Sequence, residues 1–221
     1  DALIHLEFED NLDDTSGNNV TSNIEISNQF SPVQPQQKLF SVYLNGSNRI
    51  AIDTQGDYSE FLFSQKTIAF WMRPEETSGS FAVLENAHTL DNLGFALKLE
   101  DGNLIAAFKN NDLQQTISRK MSYNFWYHVA LVFDGKEFKM YINGTFVDSI
   151  SEGVPTILPE GMLLFLGGDL SLIFPETSQR FRGHIDDFYL YDKALSLTEI
   201  NQLFMSAVPD DISGSQHKSN T

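Results

Sequence analysis

Four dipeptides punctuate this chain: Asn45-Gly46, Asp101-Gly102, Asp134-Gly135 and Asn143-Gly144. Each pairs residues that tolerate positive φ, as the two central positions of a tight hairpin require. The segments beside them are short and rich in β-branched and aromatic residues: Arg49 to Asp53, Thr67 to Met72, Phe95 to Leu99, Leu104 to Phe108, Tyr127 to Phe133 and Phe138 to Ile142. Strand alternation is already present at the start, where Ile4, Leu6 and Phe8 face one way and His5, Glu7 and Glu9 the other. Many short strands with such turns predict an all-β fold, an antiparallel two-sheet jelly-roll sandwich. Eighteen phenylalanines suit the wide gap between two stacked sheets.

One helix is expected. Ser196 and Glu199 form an S-x-x-E capping box ahead of the apolar stripe Ile200, Leu203 and Phe204. The spacing predicts a short C-terminal helix over about Leu197 to Met205, packed against one end of the sandwich. Beyond it, Ser206 to Thr221 has almost no apolar content and reads as a flexible linker or tail. The expected organisation is one domain over residues 1–205 with a tail at 206–221, part of a larger multidomain chain. No apolar run approaches the ~20 residues that span a bilayer, so no membrane insertion is expected. The start of the chain lacks a basic-then-apolar signal pattern, so any targeting segment is expected to have been removed or to belong to a longer parent.

Composition narrows the chemistry. Against 30 Asp+Glu stand 14 Lys+Arg, a net charge of −16, whereas a nucleic-acid binder needs a basic stripe. Cysteine is absent, which removes disulfide frameworks, thiolate metal sites and cysteine nucleophiles. The five histidines form no H-E-x-x-H or other close pair, so zinc is not expected.

Three segments resemble a known family. They are Asn124-Phe125-Trp126-Tyr127-His128-Val129-Ala130-Leu131-Val132-Phe133-Asp134-Gly135, continuing to Met140-Tyr141-Ile142-Asn143-Gly144; Thr67-Ile68-Ala69-Phe70-Trp71-Met72-Arg73-Pro74; and Gly183-His184-Ile185-Asp186-Asp187-Phe188-Tyr189-Leu190-Tyr191-Asp192-Lys193-Ala194-Leu195-Ser196. Together they resemble laminin-G-like, concanavalin A-like domains of bacterial surface proteins and polysaccharide-processing enzymes, over about Ala2 to Phe204. The resemblance implies a jelly roll and an extracellular or cell-surface setting. Read as residues, Trp71 and Trp126 sit in apolar strand-like segments and are expected to be core side chains. His128 reads as a hydrogen-bonded sandwich residue, and Tyr141 and Tyr191 as structural.

Carboxylates crowd one short stretch, Glu7, Glu9, Asp10, Asp13 and Asp14, while Asp186 and Asp187 interrupt an apolar strand far away. Ca²⁺ takes six to eight oxygens at roughly 2.3–2.6 Å. A jelly roll that sets its first and last strands side by side would bring the two groups together. The resemblance implies a structural calcium there, held by Asp186 and by one of Glu9, Asp10 or Asp14. The run lacks the EF-hand spacing.

Catalysis is not expected. A retaining jelly-roll glucanase carries an E-x-D-x-x-E strand, with two carboxylates about 5–5.5 Å apart, and this chain has no such stretch. The leading expectation is a non-catalytic carbohydrate-recognition module. The net charge favours a neutral glycan. A structural, adhesive or protein-binding module is the alternative, and a polysaccharide lyase or hydrolase the third reading. Two stretches are candidate ligand rims: the loop Glu75 to Asn92, and Gly167 to Gln179.

Overall fold

Short strands follow one another through the computed structural model, which describes residues 1–18, 22–24, 30–31, 40–52, 65–76, 78–88, 93–110, 113–154, 163–168 and 179–206. Among them the chain forms β1 (Ile4–Leu6), β2 (Ser22–Ile24), β3 (Phe30–Ser31), β4 (Ser41–Asn45), β5 (Ile50–Ile52), β6 (Lys66–Pro74), β7 (Ser80–His88) and β8 (Leu93–Glu100). Next come β9 (Asn103–Asn110), β10 (Leu113–Lys120), β11 (Tyr127–Phe133), β12 (Phe138–Ile142), β13 (Thr145–Ile150), β14 (Leu163–Leu166), β15 (Gln179–Arg180) and β16 (Arg182–Tyr191). The helix α1 is Leu197–Ser206, one residue longer than its sequence suggested.

The strands make two sheets. The first runs β13-β12-β11-β6-β16-β4-β3, with β1 also paired to β16. The second runs β10-β9-β8-β7-β14-β5-β2. The described pairings are antiparallel except for β15, two residues that run parallel to β7. The inward faces meet in a core where Phe8, Phe70, Phe133, Phe138, Phe181 and Phe188 are fully buried. Phe138 reaches across to the second sheet, its ring centroid 5.7 Å from Phe95 and 5.8 Å from Phe108. Each such ring contributes about 1.5–3 kcal/mol by leaving water.

Three of the four glycine pairs close hairpins. Asp101-Gly102 (φ +45° and +76°) joins β8 to β9, and Asn143-Gly144 (φ +50° and +73°) joins β12 to β13. Positive φ at both centres is the primed turn that matches strand twist. Asp134-Gly135 opens a longer connection, in which the Asp134 carboxylate accepts the N–H groups of Lys136 and Glu137 at 2.9 and 2.8 Å. Asn45-Gly46 behaves differently: it carries the chain from β4 in the first sheet to β5 in the second. The reason is local. The Asn45 side chain accepts the N–H of Ser47 (2.9 Å) and the Asn48 side chain accepts the N–H of Asn45 (2.8 Å), closing a side-chain-held corner instead of a ladder.

The presumed loop Glu75 to Asn92 is also corrected. Ser80–His88 is β7, hydrogen-bonded between β8 and β14. Phe81, Ala82, Val83 and Leu84 are all buried, and the strand bulges between Ala82 and Leu84. The bulge breaks the period-two signal that identifies a half-buried strand. Residues 77 and 89–92 of that stretch, 169–178 of the second presumed rim, Asp53 and the tail 207–221 lie outside the described residues. The polar strand β10 was not foreseen, since only Ile117 along it is buried.

Candidate functional site

The last strand holds the first in place. β1 pairs antiparallel with β16, Ile4 opposite Leu190 and Leu6 opposite Phe188. The expected meeting of chain start and chain end is therefore real. Asp186 and Asp187 lie where β16 bulges: Asp186 pairs with Trp71 and Tyr189 with Ala69, leaving one extra residue on β16. On the other side of β16, β4 pairs with residues 182–185 and β1 with 188–190, so the two acids fall in the gap between them. Both are 2% exposed, and Asp187 has φ +46°. Gly183, which opens this motif, has φ +147°, and a Cβ there would run into the Arg73 carbonyl of the neighbouring strand.

Among the four expected calcium ligands, Asp186 accepts the Asp187 N–H at 2.9 Å. Asp14 commits both carboxylate oxygens to protein donors. One accepts the N–H groups of His5 and Ser16, both at 3.0 Å, and the other accepts the Ser16 hydroxyl at 2.8 Å. Asp10 is exposed and Glu9 half-buried, in the turn that follows β1. Among the described residues no three of His, Cys, Asp and Glu converge as a metal-ligand group.

A groove opens beside this junction. The outward face of the first sheet carries Ala69 and Ala130 side by side, both fully buried, and these small residues let α1 lie close. Ile200 fills the contact, with Tyr141, Tyr191 and Leu195 around it. The connection into α1 is fastened by Thr67, whose hydroxyl donates to the Lys193 carbonyl (2.8 Å) and accepts the Leu195 N–H (2.9 Å). The Ser196–Glu199 capping box forms as the sequence predicts. Between α1 and the chain start lies an open groove of about 550 Å³, lined by His5, Ser16, Tyr189, Tyr191, Lys193 and Gln202 among others.

The groove floor is a ring stack. His5 and Tyr189 are cross-strand partners with centroids 4.0 Å apart at 12°, and Tyr189 stacks on Tyr191 at 5.9 Å and 15°. Stacked rings present edges to the groove. Neither tyrosine hydroxyl has a hydrogen-bond partner among the described residues. Burial, with nearby Asp187 assisting, pushes the Tyr189 hydroxyl well above its usual range, and burial pushes Tyr191 up to about 12. Both stay protonated donors at neutral pH. On the rim, Lys193 donates to Glu199 at 2.8 Å, and this contact with the Ser196 groups holds the Glu199 carboxyl down at about 2. The groove thus combines apolar side chains such as Ala2, Leu195 and Leu203 with a paired charge and two tyrosine hydroxyls.

Its chemistry suits binding. Thr15 Oγ1 lies 2.9 Å from His5 Nδ1, and His5 Nε2 lies 3.5 Å from Asp187. The hydroxyl also donates to the His5 carbonyl at 3.2 Å, and 3.5 Å is too long for a strong bond, so this row orients His5 rather than activating Thr15.

Trp71 and Trp126 are buried as expected, 2% and 3% exposed. Trp71 is not between the sheets, however; it lies under α1, stacked on Phe204 at 5.7 Å. His128 departs from expectation. Its ring is 2% exposed beside Trp71 and Phe204, and its Nδ1 has no hydrogen-bond partner among the described residues. Burial drops it to about 4, against the opposing pull of Asp187. Tyr141 and Tyr191 are buried in the helix contact, yet Tyr191 also lines the groove. Sequence reasoning missed His5, Tyr189 and Gln202. The available signal was period two: His5, Tyr189 and Tyr191 all take the outward positions of their strands.

Two eight-stranded sheets, a helix laid over one of them and a groove along its edge define a lectin-type β-sandwich. The chain matches the family model of the concanavalin A-like lectin/glucanases superfamily over residues 44–201, and it belongs to that family. It is similar to Paraclostridial mosquitocidal protein 1 of Paraclostridium bifermentans, 26% identical over 219 residues, covering 89% of this chain and 17% of that protein. Among solved structures it resembles the binding domain of botulinum neurotoxin DC, described in complex with rat synaptotagmin II. There the TM-score is 0.74 at 22% identity, over 93% of this chain and 51% of that one. A botulinum neurotoxin type C structure, described with cell entry that depends on two ganglioside molecules, matches at TM-score 0.74 and 23% identity over the same shares. The botulinum neurotoxin serotype G binding domain matches at TM-score 0.73 and 18% identity. The chain therefore spans about half of these binding domains and a smaller part of the mosquitocidal protein.

Proposed function

We propose that this domain is a non-catalytic, extracellular carbohydrate-recognition module of a larger protein, and that it takes a neutral glycan in the groove between β16 and α1. The observation that carries this reading is the edge-on stack of His5, Tyr189 and Tyr191, with two tyrosine hydroxyls unpartnered among the described residues. Sugar hydroxyls both donate and accept, and a phenol edge answers both. The salt-bridged rim adds no net charge for an anionic sugar. The relatives support a binding role, since the similar structures are toxin binding domains, described with gangliosides in one case and synaptotagmin II in another. Those ligands belong to domains about twice the matched length, so the groove, not the relatives, is the reason for locating recognition here.

A glycan array probed with the purified chain tests the reading. Binding of a neutral glycan that Tyr189→Phe and Tyr191→Phe each weaken supports it. Binding to no glycan, with a protein partner mapping to the same groove, favours the protein-binding reading that the synaptotagmin complex of the similar domain suggests.

A structural calcium is a separate proposal. Its support is the family resemblance and the pairing of β1 with β16, which leads the turn carrying Glu9 and Asp10 past Asp187 and Asp186. EDTA should then lower the melting temperature and Ca²⁺ restore it; a melting temperature indifferent to both removes the proposal.

A further inference from the structure

A second candidate site lies away from the groove, on the connection between β10 and β11. Tyr123 and Phe125 are 59% and 63% exposed there, two of the five exposed large hydrophobic side chains among the described residues. The backbone that carries them is fixed. Met121 and Trp126 are buried at either end, and Asn124 between the two aromatics has φ +62°. Its N–H donates to the Pro74 carbonyl at 2.6 Å, and its own carbonyl accepts Arg73 Nε at 3.3 Å. The Ser122 N–H donates to the Tyr127 hydroxyl at 2.9 Å. Exposed aromatics held this firmly are pre-organised for contact.

Beside Tyr123 is a pocket of about 300 Å³ formed with Ser78, Asp101, Gly102, Lys120 and Ser122. The Lys120 ammonium donates to the Asp101 carbonyl at 3.2 Å, and one Asp101 carboxylate oxygen accepts the Gly79 N–H at 3.1 Å. An ammonium has three protons and a carboxylate several lone pairs, so both keep hydrogen-bonding capacity toward the pocket. An exposed aromatic face beside a pocket with one cation, one anion and hydroxyls matches a ring that is apolar on its faces and polar around its rim.

We infer that this pocket is a second saccharide site, taking one neutral pyranose stacked on Tyr123 with its hydroxyls held by Lys120 and Asp101. The inference rests on the reading of the domain as a glycan-recognition module and extends it to a second contact. The two sites are separate: Tyr189 and Tyr191 pair with Ala69 and Thr67 of β6, whereas the Tyr123 turn is tied to Arg73 and Pro74. That spacing is roughly 20 Å along one strand. Glycan arrays bearing extended chains would then gain avidity from both.

The test is an amide-shift titration of the full chain with the methyl glycosides of glucose, galactose, mannose and N-acetylglucosamine. The expected result is that the amides of Gly79, Gly102 and Ser122 move with one of these sugars. Tyr123→Ala should weaken that response about tenfold or more, with far-UV circular dichroism and melting unchanged because the ring is exposed. Tyr189→Phe should leave it intact. A response at these amides with none in the groove keeps this site and removes the groove; the converse removes this site. Silence of these amides toward every sugar overturns the inference, as does unchanged binding by Tyr123→Ala. Association with phosphatidylcholine vesicles that is lost in the Tyr123→Ala/Phe125→Ala variant, without any sugar response, also overturns it and assigns the turn to a lipid surface.

Discussion

His128 shows how one buried ring sets a pH response. Packed beside Trp71 and Phe204, it is held neutral down to about pH 4 by burial, with Asp187 pulling the other way. The unfolded chain takes up that proton near pH 6.5. Between about 6.5 and 4 the unfolded state therefore carries the extra proton, and stability falls as pH falls through that window. The difference is worth roughly 3 kcal/mol for one group. His184, also lowered to about 4 by burial, adds a loss in the same direction. Urea unfolding at pH 7 and pH 4.5 should show this loss, and His128→Gln should flatten it; identical pH slopes in both proteins would contradict the assignment. Gly144 makes a second residue-scale case. With φ +73°, and with a new Cβ directed into the Asn201 side chain of α1, Gly144→Ala should cost about 1–2 kcal/mol. Adding Asn201→Ala should recover the part due to collision, leaving the part due to φ.

At the scale of elements, α1 is the piece that turns a sandwich face into a groove. It has one turn of capping chemistry and one buried residue, Ile200, so it depends on the sheet beneath it. Phe204→Ala removes the ring stacked on Trp71 and should cost about 1–2 kcal/mol while shifting tryptophan emission to the red. Unchanged emission would mean that Trp71 is shielded by something else. Most elements could be read from the chain. Tyr127–Phe133 and Phe138–Ile142 form strands over the predicted spans, because β-branched and aromatic residues fill them and turn residues bound them. The exceptions have physical causes. β7 bulges between Ala82 and Leu84, which breaks its period, β10 is polar nearly throughout, and Asn45-Gly46 serves a corner because Asn48 supplies the competing hydrogen bonds.

For the whole molecule, the candidate site was far less legible than the fold. Its floor joins His5 to Tyr189, residues from opposite ends of the chain that meet only because β1 pairs with β16. Sequence patterns mark which residues face outward, but not which outward face a later helix will border. Tyr191 illustrates this, since it reads as structural and is indeed buried under α1, yet the same position makes it line the groove. The net charge of −16 is consistent with the neutral ligand proposed here, and a glycan bound by hydroxyl edges should hold nearly as well at high salt as at low. Binding that collapses with salt would point instead to a charged ligand. Recognition in the groove is tested by an amide-shift titration of the chain with the leading glycan from the array, repeated on Tyr189→Phe/Tyr191→Phe. The expected result is shifts at His5, Tyr189, Tyr191 and Gln202, and affinity reduced about tenfold or more in the double variant at unchanged melting temperature. A double variant that binds as tightly as the parent, or shifts that spare all four residues, would contradict it.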